Sequence, residues 1–343
     1  MPFPRPRRRH HLLRQRFSSN PSGSTFGAGA RRIPVGPQTA LSAAGYSTRS
    51  DRRWSAGHIA DLPAATRQFD ILICRRTWVP WQIRVRVSVG LGLTVPVDHQ
   101  RLSSIAHSHH PIAAPILGVN LDRLLRRADR QSTARVLDLG CGEGAWALQA
   151  LAHYPDGHAD GVDVSSYALE RAASAAADRG LANRLTLHER DARTYVPDGD
   201  YDLVLCIGST HAFGGFAETL ELAGRRVNAD GILMIGEGFW QVPPTPAALA
   251  ALDGKADEFT DLPGLVDVAE RAGWTPVYAH VSDAAEWDDY EWSWVGSLTR
   301  WALDNPGHPD ATEALAAARK HRDQWLRGYR NVLGFVTLVL RRS

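Results

Sequence analysis

The sequence predicts an α/β protein with a doubly wound parallel sheet, preceded by a basic segment of different composition. Two observations support this fold class. From residue 135 onward, short apolar runs alternate with stretches of helical spacing, which is typical of the β-α units of a parallel sheet. A glycine-rich loop, "GCGEG", directly follows the first apolar run, and such sheets bind ligands at the carboxyl ends of their strands.

The elements are placed by apolar spacing and by boundary residues. A helix is expected from Val119 to Arg130, followed by a first strand from Arg135 to Leu139. "AWALQALAHY" then has helical spacing, and Gly161 to Val164 form a second strand with Asp163 at its carboxyl end. The next helix, "SSYALERAASAAADRG", begins at a serine cap and ends at a glycine. The third to fifth strands are "RLTLHERDA", "YDLVLCIGS" and "GILMIGEGFW".

Charge divides the chain into two parts. Residues 1–95 contain sixteen Arg, no Lys and three acidic residues, a net charge of +13, whereas the remainder carries −11. The first part shows no sustained periodicity, and we expect it to be disordered. Three explanations stay open: a non-functional extension with the true start near Val95 or Val97, a basic arm that binds nucleic acid or anionic lipid, and a targeting segment.

Several classes of protein are disfavoured by composition. No apolar run approaches the length of about 20 residues that crosses a bilayer, so no membrane association is expected. The three cysteines lie far apart, which argues against a disulfide framework and a zinc site and favours a cytoplasmic protein. The acidic balance of residues 96–343 disfavours nucleic acid as a substrate, because phosphate neutralisation requires a basic groove.

The glycine loop by itself admits two cofactors. Glycines at 140, 142 and 144 allow a tight turn, but "GCGEGA" also satisfies the dinucleotide pattern, with Asp163 where a ribose-binding acid would lie. The carboxylates of Asp138 and Glu143 are more informative. They would repel a pyrophosphate and attract an ammonium and a sulfonium, which favours S-adenosylmethionine over NAD.

Four motifs in order carry a resemblance to a known family. "VLDLGCGEG", "GVDVS", "RDA" and "YDLVLCIGS" resemble the class I S-adenosylmethionine-dependent methyltransferases of the small-molecule type. The resemblance implies a mostly parallel seven-stranded sheet with helices on both faces and an antiparallel last strand. It makes "TPVYAHVS" and "NVLGFVTLVLRR" the last two strands, and S-adenosylmethionine the cofactor.

The resemblance also implies a set of cofactor-binding residues. Asp138 and the glycine-loop backbone would face the methionine moiety, Asp163 would accept the ribose hydroxyls, and Asp191 would meet the adenine edge. The full expected set is Asp138, Gly140, Cys141, Gly142, Asp163, Val164, Asp191, Ala192, Ile207 and Gly208.

Residues on the substrate side are predicted from their position. His211 and Glu237 follow or end the fourth and fifth strands and are candidates for a general base or an orienting group; His211 is equally explained as a loop histidine bonded to backbone. In "EWDDYEWSW", aromatic and acidic residues alternate, which suits a wall that receives an apolar or cationic molecule, although core packing is the alternative. The expected substrate contacts are His110, Trp240, Tyr290, Trp292 and Trp294.

These expectations give a layout and a function. We expect an N-terminal helical lid at 96–131, a cofactor-binding core at 132–240, and a C-terminal part of the sheet with a Trp-rich helical insertion on the substrate side at 241–343. The clustered histidines at 107–110 fit a lid or helix-start packing better than a metal site, so no metal is expected. The predicted activity is methyl transfer to a small-molecule acceptor. The alternatives are a non-catalytic cofactor-binding protein and an NAD-dependent oxidoreductase.

Overall fold

The computed structural model describes residues 99–343. The segment 1–95, for which disorder is expected, lies outside the described residues. Within the described part, no helix is both long and apolar enough to cross a membrane.

One sheet of seven strands organises the described residues. The strands are β1 (Arg135–Leu139), β2 (His158–Asp163), β3 (Leu185–Glu189), β4 (Tyr201–Ile207), β5 (Val227–Trp240), β6 (Trp274–Val281) and β7 (Leu333–Arg342). Their order is β3-β2-β1-β4-β5-β7-β6. β7 runs antiparallel to both of its neighbours and the other pairs are parallel, so the predicted fold class is confirmed. The order reverses between β1 and β4, where ligands bind in sheets of this kind.

Helices cover both faces of the sheet. They are α1 (His99–His107), α2 (Gly118–Ala128), α3 (Ala145–His153), α4 (Ser166–Asp178), α5 (Phe216–Leu222), α6 (Pro246–Leu252), α7 (Leu262–Arg271), α8 (Ala284–Asp304) and α9 (Ala311–Gln324). A π-helical turn, Trp325–Tyr329, continues α9.

The alternation of side chains along the strands builds two cores. Val136 and Leu205 face α2 and α3, whereas Leu137 and Val204 face α5 and α7. A third cluster joins α1, α8 and α9 around the buried indole of Trp294. The helices α8 and α9, which lie between β6 and β7 in the chain, therefore pack with α1 around a core of their own.

Predicted boundaries shift by a few residues in the structure, at β2, β3, β5 and the first predicted helix. β2 begins at His158 rather than at Gly161, because the polar Asp160 is accommodated within the sheet: its carboxylate lies 2.8 Å from His188 Nε2 and accepts a hydrogen bond from the Tyr201 hydroxyl at 3.0 Å. The first predicted helix spans Gly118–Ala128. The serine start of α4 is confirmed, since Ser165 accepts from the backbone of Ala168.

Candidate active site

The glycine loop between β1 and α3 is fastened to β2 and leaves open space on its other side. The backbone N–H groups of Gly140 and Cys141 both donate to the Val162 carbonyl, at 2.8 and 3.0 Å. Gly140 has φ +76°, and a Cβ there would overlap the side chain of Ser209. At Gly142 and Gly208 an added Cβ would meet no atom of the described residues within 4 Å. These two glycines therefore border a space that a ligand can enter.

Asp163 is held in a fixed orientation at the end of β2. One carboxylate oxygen accepts from the Gly142 N–H at 2.9 Å, and the other accepts from the Ser165 N–H at 2.9 Å. A carboxylate offers about four lone-pair positions, so two acceptor positions are left. The side chain can thus support the loop and bind two hydroxyl groups at the same time.

Asp138 is a buried carboxyl at the end of β1. Its side chain is 2% exposed, and its Oδ2 has no hydrogen-bond partner among the described residues. Burial, only partly opposed by a hydrogen bond from the Ala147 backbone, raises its pKa to about 7. A buried carboxyl with a free oxygen is suited to a cationic group, which would satisfy that oxygen and favour its ionised form.

Other expected cofactor contacts can act only through particular atoms. The side chains of Cys141 and Ala192 are buried in the protein, so their backbone groups are what a ligand could reach. Val164 exposes 62% of its surface next to Asp163. Asp191 is exposed, and its Oδ1 accepts from the Arg193 N–H at 2.9 Å. Ile207 lies at the end of β4, directly before the open position of Gly208.

His211 and Glu237 lie near this space but in different surroundings. His211 is in the turn after β4. Burial lowers its pKa, although the charge of Asp163 and a hydrogen bond to the Gly208 backbone carbonyl oppose this effect. Glu237 is 7% exposed on β5 and accepts from its neighbouring Gly238 N–H at 2.8 Å. Burial raises the pKa of Glu237 to about 7, although a hydrogen bond from the Thr210 side chain opposes the rise.

Glu143 has a different role from the one expected. Its carboxylate accepts from the Arg171 Nε at 2.7 Å and from the Ser104 hydroxyl at 3.0 Å. The charge expected to attract a cationic cofactor is therefore paired with an arginine, whereas the buried Asp138 has no such partner among the described residues. The Ser104 contact also places α1 beside the glycine loop, which the sequence did not indicate because 39 residues separate the two.

The histidines at 107–110 fasten the start of the described chain to α8. His107 Nε2 lies 3.2 Å from the Tyr290 hydroxyl, and burial lowers the pKa of His107 to about 4. His109 Nδ1 lies 2.8 Å from the Ser297 hydroxyl. Within residues 99–343, no group of three or more His, Cys, Asp or Glu side chains is arranged to hold a metal ion.

The aromatic residues expected on the substrate side do not form one wall. Tyr290 and Trp294 are buried, whereas Trp292 exposes 49% of its surface and packs edge-on against Trp325. The alternation with acidic residues suggested one wall, but Tyr290 and Trp294 share one side of α8 and Trp292 lies on another. Trp240 is also buried, with its indole N–H donating to the Ala256 carbonyl at 2.9 Å.

One buried network was not predicted from the sequence. Glu291 is fully buried, with His321 Nε2 2.8 Å from one carboxylate oxygen and the Tyr329 hydroxyl donating to the other at 2.9 Å. The Trp294 indole stacks on His321 with ring centroids 4.0 Å apart. Glu291 lies 30 and 38 positions before its two hydrogen-bond partners, so no local pattern could have revealed these contacts.

The chain is similar in sequence and in fold to known methyltransferases. The family described as "Methyltransferase domain" matches residues 136–231. A crystal structure of a SAM-dependent methyltransferase from Geobacter sulfurreducens in complex with S-adenosyl-L-homocysteine is 30% identical, with a TM-score of 0.66, and the similarity covers 74% of this chain and 100% of that one. The protein YjhP of Escherichia coli is 31% identical over 226 residues, covering 64% of this chain and 89% of YjhP. The ribosomal protein uL3 glutamine methyltransferase of Bradyrhizobium diazoefficiens is 44% identical over 71 residues, which are 21% of this chain and 22% of that protein.

Proposed function

Because the chain belongs to the class I S-adenosylmethionine-dependent methyltransferases, we propose that it methylates a small-molecule acceptor. S-adenosylmethionine is its cofactor. When bound, this cofactor supplies a methyl group that is activated by the attached positive sulfur. The protein's contribution is to bind and orient the two reactants and to exclude water.

The orphaned oxygen of Asp138 is the observation that supports the cofactor site on which the proposal rests. A buried acceptor without a partner costs stability until a donor reaches it, and an ammonium group would supply the donor and the opposite charge. The open positions at Gly142 and Gly208 lie on the loops that follow β1 and β4. Asp138 would hold the amino group of the cofactor, and the backbone of Gly140, Cys141 and Gly142 would lie along its methionine part.

The rest of the cofactor would extend over the end of β2. Asp163 has two acceptor positions for the ribose hydroxyls, and the exposed side chain of Val164 offers an apolar surface for the adenine ring. Asp191 and the backbone of Ala192 would meet the adenine edge. Ile207 and Gly208 would lie beneath the reacting sulfur.

A small acceptor is favoured by the helices that flank the site. α1 contacts the glycine loop through Ser104, and the same helix packs on α8 in a common core. A site bordered in this way suits a molecule that can enter between helices better than a folded protein. We therefore assign residues 96–131 as the lid and residues 241–343, with their helical insertion, as the acceptor side.

Methylation of a protein is the second candidate, because one relative is named a ribosomal protein methyltransferase. That match covers only 22% of the relative's length. It therefore says little about the parts of either chain that would select the acceptor. The remaining alternative is cofactor binding without turnover.

His211 and Glu237 are the candidates for proton transfer. A base is required only where the acceptor atom loses a proton as it gains the methyl group. Because burial lowers the pKa of His211, its imidazole is neutral near pH 7 and can accept a proton. Glu237, with a pKa raised to about 7, can either accept a proton or hold the acceptor through a hydrogen bond.

The test is to follow a labelled methyl group into a cell extract. The purified protein is incubated with the methyl-labelled cofactor and with separate low-molecular-mass and protein fractions, and the Asp163→Ala variant serves as the control. We expect label in the low-mass fraction and much less label with the variant. Label confined to the protein fraction would favour the second candidate, and normal cofactor binding with no label in either fraction would favour a non-catalytic protein.

A further inference from the structure

A cavity of about 290 Å³ lies on the side of α3 that faces away from the sheet. It is bounded by the segment between α1 and α2, by the first turn of α2, by α3 and by one residue of α8. Its apolar lining includes Ile112, Leu117 and Leu121. None of the residues that would hold the cofactor lines it, so this cavity is separate from the site described above.

The polar lining of the cavity carries one negative and one positive side chain. Asp289 of α8 exposes 56% of its side chain, and its Oδ2 lies 3.7 Å from His110 Nε2, beyond hydrogen-bonding distance. Arg179 directly follows the last turn of α4 and is exposed. The amide of Gln149 lies on the α3 side.

The His110 side chain is built into the cavity wall. It is only 8% exposed, it packs edge-on against Tyr290 with ring centroids 5.2 Å apart, and its Nδ1 has no hydrogen-bond partner among the described residues. A buried imidazole nitrogen left without a hydrogen bond within the described chain is uncommon, because an unmade hydrogen bond is costly. The other nitrogen, Nε2, faces Asp289, so a ligand donor placed between the two would hydrogen-bond to Nε2 and to Asp289 Oδ2.

We propose that this cavity binds a small zwitterion with an apolar body, that is, a molecule of the amino-acid class. Its ammonium group would lie between Asp289 and His110, its carboxylate would pair with Arg179, and its apolar part would pack on Leu117 and Leu121. Two opposite charges on different helices match two opposite charges on the ligand, and the volume suits a small molecule. The proposal does not depend on methyl transfer.

Three probes with the same phenyl ring test the charge pattern directly. L-phenylalanine carries both charges, phenethylamine carries only the positive charge, and 3-phenylpropionate carries only the negative charge. Binding is measured by calorimetry on the full chain, with S-adenosylhomocysteine at saturation. We expect phenylalanine to bind about tenfold or more tightly than either analogue, because each charge contact then contributes about one factor of ten. Equal affinity of phenylalanine and one analogue would overturn the proposed class.

Two variants assign the charges to residues. Asp289→Asn should reduce phenylalanine binding to about the level of 3-phenylpropionate, and Arg179→Gln should reduce it to about the level of phenethylamine. Asp304→Asn and Arg319→Gln, exposed changes on α8 and α9, are the matched controls and should leave binding unchanged. Melting temperatures verify that the variants fold.

Three results would overturn the proposal. The first is unchanged binding to both cavity variants. The second is no saturable binding up to the solubility of the probes. The third is binding that is lost when S-adenosylhomocysteine is present, because the probe would then occupy the methionine end of the cofactor site.

Discussion

At the scale of single residues, Asp163 combines two tasks in one carboxylate. It accepts backbone N–H groups from Gly142 and Ser165, and it is assigned the two ribose hydroxyls in the proposed site. Asp163→Ala should therefore weaken S-adenosylhomocysteine binding by about 2–3 kcal/mol, since two ligand hydroxyls lose their acceptor. Calorimetry measures the change, with the exposed Asp178→Ala as the control. Unchanged affinity in a folded variant would remove Asp163 from the cofactor site.

At Asp138, folding and cofactor binding should favour different protonation states of the carboxyl group. Its folded pKa of about 7 lies above its ordinary value of 3.8, so its contribution to stability is fully present below about pH 4 and is lost as pH rises through 7. Asp138→Asn, which is neutral at every pH, should therefore stabilise the cofactor-free protein at pH 8 but not at pH 5, and it should weaken cofactor binding. Denaturant unfolding at both pH values checks this. Equal effects at pH 5 and pH 8 would mean that the carboxyl does not titrate in this range.

At the scale of elements, α8 places two tryptophans that are two positions apart in different surroundings. Trp294 is 2% exposed and stacks on His321, whereas Trp292 is half exposed. Trp294→Ala should lower the free energy of unfolding by about 3–5 kcal/mol, because it leaves a cavity in the core between α1, α8 and α9. Trp292→Ala, the matched control, should cost less than about 2 kcal/mol. Chemical denaturation of both variants measures the two losses of unfolding free energy. Similar losses would contradict the packing described for α8.

The elements themselves were largely predictable, and the reasons are local. Apolar runs followed by glycine or acidic residues placed β1 and the strand that carries Asp163, and a serine cap placed the start of α4. β2 was predicted too short because its start contains the polar His158 and Asp160; the Asp160 carboxylate pairs with side chains from β3 and β4. Such pairing is a property of the sheet and leaves no mark in a single strand's sequence.

The parts of the candidate site that lie in one loop were predictable from the sequence, whereas the contacts that helices distant in sequence make with this loop were not. The glycine loop and Asp163 follow from spacing along one stretch of chain. The pairing of Glu143 with Arg171, and the contact of Ser104 with the same carboxylate, depend on how α1 and α4 pack. The helix of the Trp-rich insertion was predictable, but the side on which each aromatic residue lies was not. Alternation with acidic residues suggested one wall, whereas on α8 Tyr290 and Trp294 lie four positions apart on one side and Trp292 lies on another.

At the scale of the whole molecule, Glu286 joins three layers. It is 1% exposed, and one oxygen accepts from the Leu117 N–H and the Asn120 amide at the start of α2, at 2.9 and 2.7 Å. The other oxygen accepts from the Asp283 N–H and lies 2.8 Å from His280 Nε2 on β6. A single carboxylate thus connects the predicted lid, the edge of the sheet and the first turn of α8.

Replacement of Glu286 should therefore weaken the entire assembly. Burial acts to raise its pKa, but hydrogen bonds led by the one from His280 prevail and lower the pKa from 4.5 to about 2. Its contribution to stability is accordingly present above about pH 4.5 and is lost as pH falls towards 2. Glu286→Gln should cost about 3 kcal/mol at pH 7, because an amide cannot accept on both sides and leaves buried donors without partners.

The pH dependence makes the test of Glu286 specific. The difference in unfolding free energy between the protein and Glu286→Gln should shrink as the pH falls from 5 to 3. In this range Glu286 takes up a proton in the unfolded chain before it does so in the folded protein, which stabilises the unfolded chain of the unsubstituted protein. The exposed Glu270→Gln on α7 removes the same charge and should change stability by less than about 0.5 kcal/mol at either pH. A loss with Glu286→Gln that is constant over this range would show that shape, and not the ionised carboxylate, holds α2, β6 and α8 together.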